Sequence, residues 1–485
     1  MTRHMRCRLL VAVWLAASVG AFAQSPEFDN PPAPGAPRPL NIDAPVEQRL
    51  PNGLRVILAQ RRGVQLVTAD LVVLAGAEVD PPQRAGLASL TAGLLTKGTR
   101  KHSATQLAQA AESLGGALDS GAGWHQSSVA ITVMTQNLDA ALGLVGEVVQ
   151  QPAFAPAELE RLRKQALDGL KVGYSEPGTL ASLAAQRLLF GAGPYGHPAS
   201  GTPASLPRVT RAELAALHAA RYRPDNAVLV LAGDLDAETA LRLARRHFGA
   251  WKPASSAAPA AAPAANAELA LATVLIDMPQ SGQAAVIVSA PLPPAGADRA
   301  TAAVLNSVLG GGFSSRLNQE IRIRRGLSYG AGSALDLRPG GSALRAVLQT
   351  KNESAAEVVA LVQREFDTLA ATPVPEPELA ARKATLIGNF SRSVETTAGL
   401  AAAVRSLVVA GLEPAELGGR IAALNAVTAA DVQRYAAANF GAERRRVVVA
   451  GEAARFTTAL RAGAPDLAVI SAENLDVEAV GLRKR

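Results

Sequence analysis

Cysteine is nearly absent: Cys7 is the single one in 485 residues. Everything beyond the first few residues therefore has no disulfide framework and no thiolate to serve as nucleophile or metal ligand. Histidine is scarce as well. Beyond His4 the chain holds His102, His125, His197, His218 and His247, and no two of these lie within five residues of each other. No helical turn can present a histidine pair, which is what a helix-borne zinc site needs. Aromatic residues make up 4% of the chain, and lysine is outnumbered by arginine, 8 to 40. The formal charge of +7 is spread along the sequence with no long basic run. Nucleic-acid surfaces concentrate their cations and interleave stacking rings, so the charge pattern argues against such a partner. Apolar residues are plentiful, at 48% against 18% charged, and a wholly disordered chain is excluded. At roughly 150 residues per domain the length suggests three domains, and two large ones fit equally.

The N-terminus reads as a secretory signal peptide. Arg3, Arg6 and Arg8 precede an apolar stretch from Leu9 to Phe22, and Ala21-Phe22-Ala23 has the small-x-small form of a cleavage site. The apolar run falls short of the roughly 20 residues needed to span a bilayer. Cleavage after Ala23 removes three arginines and no acid, leaves a formal charge of +4, and takes Cys7 with it. The expected compartment is a bacterial periplasm, with no integral membrane segment after cleavage.

Residues 24–45 form a proline-rich lead-in, and 254–267 (ASSAAPAAAPAANA) an Ala/Pro linker. They frame an N-terminal domain over 46–253 and a C-terminal domain over 268–475, with 476–485 as a tail. The halves look duplicated. Val209-Thr210 opens a helical stretch leading to VLVLAGD, and Val427-Thr428 opens one leading to RVVVAGE. The Val-Thr pairs and the two Ala-Gly pairs, 232–233 and 450–451, share one offset of 218 residues. In the first half, strand-like runs at 55–60, 65–76 and 127–135 alternate with helical ones at 84–97, 103–114 and 136–149. The second half follows suit, with strands near 274–278, 284–290, 329–336 and 343–350 and helices near 297–309 and 314–325. Strands in adjacent groups followed by paired helices predict an α+β fold: two homologous domains, each an antiparallel sheet flanked by helices.

The segment GAEVDPPQRAGLASLTAGLLTKGT (76–99) resembles the metal-site region of the pitrilysin/insulinase family of zinc metallopeptidases, of the mitochondrial-processing-peptidase type. SATQLAQAAESLGGALDSGAG (103–123), QPAFAPAELERLRKQALDGL (151–170) and GPYGHPASGTPASLPRVTRAEL (193–214) resemble its following stretches in order. The family's metal motif is H-x-x-E-H, two histidines on one helical face with a glutamate between them as base. Aligned on Gly86-Leu87-Ala88 and Lys97-Gly98-Thr99, those positions here are Ser89, Ala92 and Gly93. The third ligand would fall at Gly169, with only Asp168 close by. Serine, alanine and glycine cannot build a zinc site, so no metal cofactor is expected in this chain. Independently of the resemblance, His125 beside Trp124 and His197 near Tyr195 read as ordinary structural or surface histidines.

GGGFSSRLNQEIRIRRGLSYG (310–330) resembles the family stretch in which an arginine and a tyrosine seven residues apart hold substrate near the scissile bond. The matching residues are Arg322 and Tyr329, beside the glycine-rich loop Gly310, Gly311 and Gly312. Gly326 is placed to cap a helix, which would put Arg322 on its last turn and Tyr329 near a strand. A guanidinium and a phenol converging there could hold a peptide carbonyl and its developing oxyanion. The competing reading makes Arg322, Arg324 and Arg325 a solvated helix face with Tyr329 packed beside it. Gly326-Leu327-Ser328-Tyr329-Gly330 also satisfies G-x-S-x-G. A nucleophile elbow runs from strand to helix, the reverse of the order predicted here, and no histidine follows His247.

The resemblance implies a non-catalytic, substrate-binding subunit of a periplasmic heterodimeric zinc metallopeptidase acting on peptides or unfolded polypeptides. Its partner would be a homologous zinc-bearing subunit with an intact H-x-x-E-H motif. The alternative is a pseudo-enzyme of the cell envelope that binds peptides or scaffolds a complex without a peptidase partner.

Overall fold

The computed structural model describes residues 42–253, 271–296 and 298–484. The expected signal peptide, most of the lead-in and the 254–267 linker lie outside the described residues. In the first half the order is β1 (Val46–Arg49), β2 (Arg55–Gln60), β3 (Leu66–Val73), α1 (Leu87–Leu94), α2 (Ala104–Ser113), β4 (Asp119–Ala122) and β5 (Ser127–Met134). It continues through α3 (Leu138–Gln150), α4 (Pro156–Gly173), α5 (Pro177–Phe190), α6 (Arg211–Arg221), β6 (Ala227–Gly233) and α7 (Ala237–Phe248). The second half runs β7 (Thr273–Asp277), β8 (Ala284–Leu292), α8 (Arg299–Leu309), a π-helical turn over Asn318–Arg324, β9 (Ala331–Asp336) and β10 (Ser342–Thr350). It ends with α9 (Ala355–Ala371), α10 (Glu376–Ser393), α11 (Thr397–Val409), α12 (Glu416–Ala426), α13 (Ala429–Asn439), β11 (Arg446–Gly451), α14 (Thr457–Gly463) and β12 (Ala468–Ser471).

The duplication is structural. The first sheet has the order β1-β2-β6-β3-β5-β4 and the second β12-β7-β11-β8-β10-β9, so five strands of each correspond one to one. The Val-Thr pairs of the repeat are helix starts. Thr210 and Thr428 each close a capping box, with Glu213 and Asp431 reaching back to the cap. Antiparallel pairs dominate, but both sheets are mixed. β6 returns parallel to β2 and β11 parallel to β7, because helices separate each pair in the chain. The sixth strand differs: β1 makes a hairpin with β2, whereas β12 adds parallel to β7.

Period-two alternation on the central strands shows how the halves meet. On β3, Val67, Ala69, Leu71 and Val73 point into the first half's own core, which α3 and α7 also line. The intervening Thr68, Asp70 and Val72 are just as buried, so the opposite face is covered too. The cover is α11 of the second half. Thr397 shares its hydroxyl with Thr68 at 2.9 Å, and Arg405 meets the Asp70 carboxylate at 2.5 Å. The arrangement is reciprocal. α5 of the first half lays Leu180, Ala181, Ala184, Ala185 and Leu188 on Ala285 and Ile287 of β8 and Val448 and Ala450 of β11. Burying a leucine is worth about 1.5–3 kcal/mol. Each half therefore holds apolar area that only the other half can cover. The stretch beyond 475, read from sequence as a tail, joins this layer: Val477 and Leu482 are buried, and Arg187 donates to the Val477 carbonyl at 2.8 Å.

Candidate functional site

α1 is the helix on which the resemblance places a metal motif. It starts where Gly86 adopts φ +91°, and Asp80 accepts from the N–H groups of Gly86 (2.9 Å) and Ala88 (2.8 Å). The buried Asp80 thus satisfies donors at the helix N-terminus. Burial pushes its carboxyl up to about 8, and the neighbouring Glu78 up to about 7. On α1 itself, Ala92 is fully buried and Ser89 half-buried. A Cβ on Gly93 would come within 3.0 Å of Leu162 on α4, so α1 and α4 are in close contact there. Gly169 of α4 is exposed with open space around it, and the adjacent Asp168 pairs with Lys164 at 2.7 Å. None of the four positions offers a ligand atom suited to zinc. Among the described residues, no three His, Cys, Asp or Glu side chains converge into a metal-binding group. The residues present do not fit the family's metal.

The second candidate region is built on the π-helical turn. Gly326 takes φ +64°, its N–H donates to Arg322 O (3.1 Å), and Leu327 N–H reaches back to Ile321 O (2.9 Å). This is the glycine-capped ending expected from sequence. The turn is π rather than α, and its sequence carries no local signal for that. The arginines then separate. Arg324 and Arg325 both pair with Glu320, at 3.0 and 2.8 Å, and Arg325 also meets Glu357. Arg322 has no carboxylate partner among the described residues and lies over the Phe313 ring, 5.0 Å from its centroid. Tyr329 is not packed beside the helix: it is 91% exposed.

The surrounding loops are held firmly. Buried Asn318 donates to the Phe313 carbonyl (2.5 Å) and accepts from Ala331 N–H (3.4 Å). Ser328 Oγ lies 2.6 Å from Gly330 O and 2.7 Å from Gln349 O, so it serves as a strap and not as a nucleophile. In the glycine-rich loop, Gly310 lies against β9, where a Cβ would come within 2.3 Å of Ser333 N. Gly311 N–H donates to Asn306 O at 2.8 Å, closing α8, and Gly312 faces open space. Asn318 was not singled out from sequence; a polar residue between apolar Leu317 and Ile321 was the available sign.

A third cluster also escaped the sequence. Arg338, in the turn between β9 and β10, is 3% exposed and sits among first-half rings: 4.3 Å from Trp124, 4.9 Å from Tyr195 and 5.1 Å from Phe190. Asp336 grips the guanidinium at both ends, at 2.9 Å on Nε. Tyr195 Oη accepts from Gly340 N–H (3.0 Å) and meets His125 Nε2 (2.8 Å). Burial holds His125 and His197 down to about 4, so both are neutral near pH 7. His125 and His197 pack on the rings of Tyr195 and Trp124, which Arg338 of the second half covers.

The fold is that of a chain of two like halves, each a six-stranded mixed sheet flanked by helices. Residues 55–197 match the family profile "Insulinase (Peptidase family M16)", and 208–386 match "Peptidase M16 inactive domain". An uncharacterized zinc protease of Mycobacterium tuberculosis is 30% identical over 356 residues, covering 73% of this chain and 81% of the relative. Among solved structures, a peptidase M16 inactive domain from Pseudomonas fluorescens is 27% identical at TM-score 0.78, covering 84% of this chain and 98% of that one. The first half of the periplasmic protease PqqL from Escherichia coli has the same fold at 16% identity and TM-score 0.69, with 87% and 94% covered. The chain belongs to the M16 family, the insulinase/pitrilysin peptidases. No described helix is long and apolar enough to cross a membrane.

Proposed function

We propose that this chain is the non-catalytic, substrate-binding subunit of a periplasmic heterodimeric zinc peptidase that acts on peptides or unfolded polypeptides. Zinc would belong to a homologous subunit with an intact H-x-x-E-H motif. The observation that carries the reading is a contrast within one chain. The metal helix offers only Ser89, Ala92 and Gly93, while Arg322 and Tyr329 stay exposed on tightly held loops. Arg324 and Arg325 are neutralised by carboxylates and Arg322 is not, which leaves its guanidinium available to a peptide carbonyl. The Tyr329 hydroxyl is a second donor with no internal partner among the described residues. Two such donors can hold a carbonyl and stabilise the charge that grows on it during attack.

The test is reconstitution. The purified chain, exposed to zinc and desalted, should retain no stoichiometric metal by elemental analysis and cleave no peptide. Mixed with a homologous subunit that carries an intact H-x-x-E-H motif, it should yield an active complex. One tightly held zinc per chain with chelator-sensitive turnover would overturn the reading. If turnover by the zinc subunit is indifferent to this chain, the scaffolding role stands instead.

A further inference from the structure

The second half contains a cavity that neither candidate region uses. It lies between α8, α10, α11 and α12 and has a volume of about 580 Å³. Its floor is aliphatic, with Leu407, Leu417 and Leu424 buried beneath it. Its mouth is charged and unbalanced. Arg299 is matched by Glu416 at 2.5 Å. Arg420 has no carboxylate or hydrogen-bond acceptor among the described residues, and its guanidinium lies 5.4 Å from the Phe390 ring centroid. Burial first, and then the neighbouring Arg299, disfavour the Arg420 charge. An anion at this point would cancel the repulsion from Arg299 and offset the cost of burial by its own attraction, which is the sense of the charge complementarity here.

We infer that this cavity binds an amphipathic carboxylate of fatty-acid type, its aliphatic chain on the leucine floor and its carboxylate on Arg420. The volume falls within the roughly 300–1,000 Å³ typical of small-molecule sites. The lining selects the chemistry. Leucine and alanine walls suit a flexible aliphatic chain, and the one ring, Phe390, is already engaged by Arg420. A planar carboxylate can take two parallel N–H bonds from a guanidinium, which an alcohol cannot.

The experiment is calorimetric titration of the full chain with decanoate, with decanol, and with a leucine-rich peptide bearing a free C-terminus. Decanoate should bind one per chain, raise the melting temperature, and bind at least about tenfold tighter than decanol. Arg420→Gln, at the mouth of the cavity, should abolish that preference while melting like wild type. Ala403→Trp, which fills the cavity from α11, should abolish binding of both. Three results would overturn the inference: no saturable decanoate binding to the wild-type chain, equal affinity for decanoate in Arg420→Gln, or saturable binding of the peptide in place of decanoate.

Discussion

A phenol left 91% exposed gains almost nothing from burial, so Tyr329 contributes little to folding. What it does has to be read at binding. In the proposed complex with a zinc-bearing subunit, Tyr329→Phe should lower kcat/KM by roughly ten- to a thousandfold, the cost of one donor lost to a developing oxyanion. Its melting temperature should stay at the wild-type value. Arg322→Lys should also damage turnover, because an ammonium on a flexible stem replaces a planar fork. Its position over Phe313 would weaken as well. Peptide turnover measured beside melting curves separates this from a structural role, which would shift stability and leave kinetics alone. Wild-type turnover by the Tyr329→Phe complex would reduce the residue to ordinary surface. The local setting of this pair was legible in the sequence, since Gly326 announces its own cap. The pairing of Arg324 and Arg325 with Glu320 was not, because it depends on how the π turn fans out its side chains.

α1 and the loop before it are held together by two buried acids. Glu78 and Asp80 are buried together, and burial holds both carboxyls above their ordinary range, at about 7 and about 8. The folded chain keeps their protons at a pH where the unfolded chain, with values near 4, releases them. Their contribution to stability is therefore complete below about pH 4 and is lost as pH rises through 7 and 8. Melting temperature should fall between about pH 5 and pH 8, and Glu78→Gln should flatten that fall. Each linked proton is worth roughly 1.4 kcal/mol per pH unit between its unfolded and its folded pKa, and nothing above the latter. Melting curves across the range settle it. An unchanged slope in Glu78→Gln would mean that Arg221 holds Glu78 ionised. At this scale the sequence was readable where signals are local, as in the capping boxes at Thr210 and Thr428 and the alternation on β3 and β8. A buried carboxylate capping α1 could not be inferred from an acid beside prolines that equally suits a solvent loop.

At the scale of the molecule, the duplicated halves are tied by contacts that neither contains alone. α5 and α11 show apolar stripes, but the stripes do not say whose sheet they cover. Arg338 and Trp124 lie far apart in sequence, in loops that look solvent-bound. The sequence disclosed two repeats and left their exchange of helices unread, because exchange is a property of tertiary packing and not of any local pattern. The consequence is cooperativity. The outer face of the first sheet, with Ile57, Val72, Val228 and Val230 fully buried, has its α11 cover only while the second half is folded. Calorimetry should therefore show one unfolding transition for both halves. Arg405→Ala provides the sharper test. It strands the Asp70 carboxylate, 1% exposed, without its cation. Removing one partner of a buried pair costs about 3–5 kcal/mol, and the partial exposure of Arg405 places this case at about 3. Asp70 is already held above its ordinary pKa by burial, so the penalty should shrink toward pH 5 as the stranded acid takes up a proton. Urea unfolding at pH 8 and pH 5, followed by the fluorescence of Trp251 in the first half's own core in a Trp124→Phe background, measures both effects. If α11 is an integral cover of the first sheet, a substitution in the second half shifts the first half's transition with no second step. An Arg405→Ala chain whose Trp251 signal unfolds at the wild-type midpoint would show that the halves fold independently.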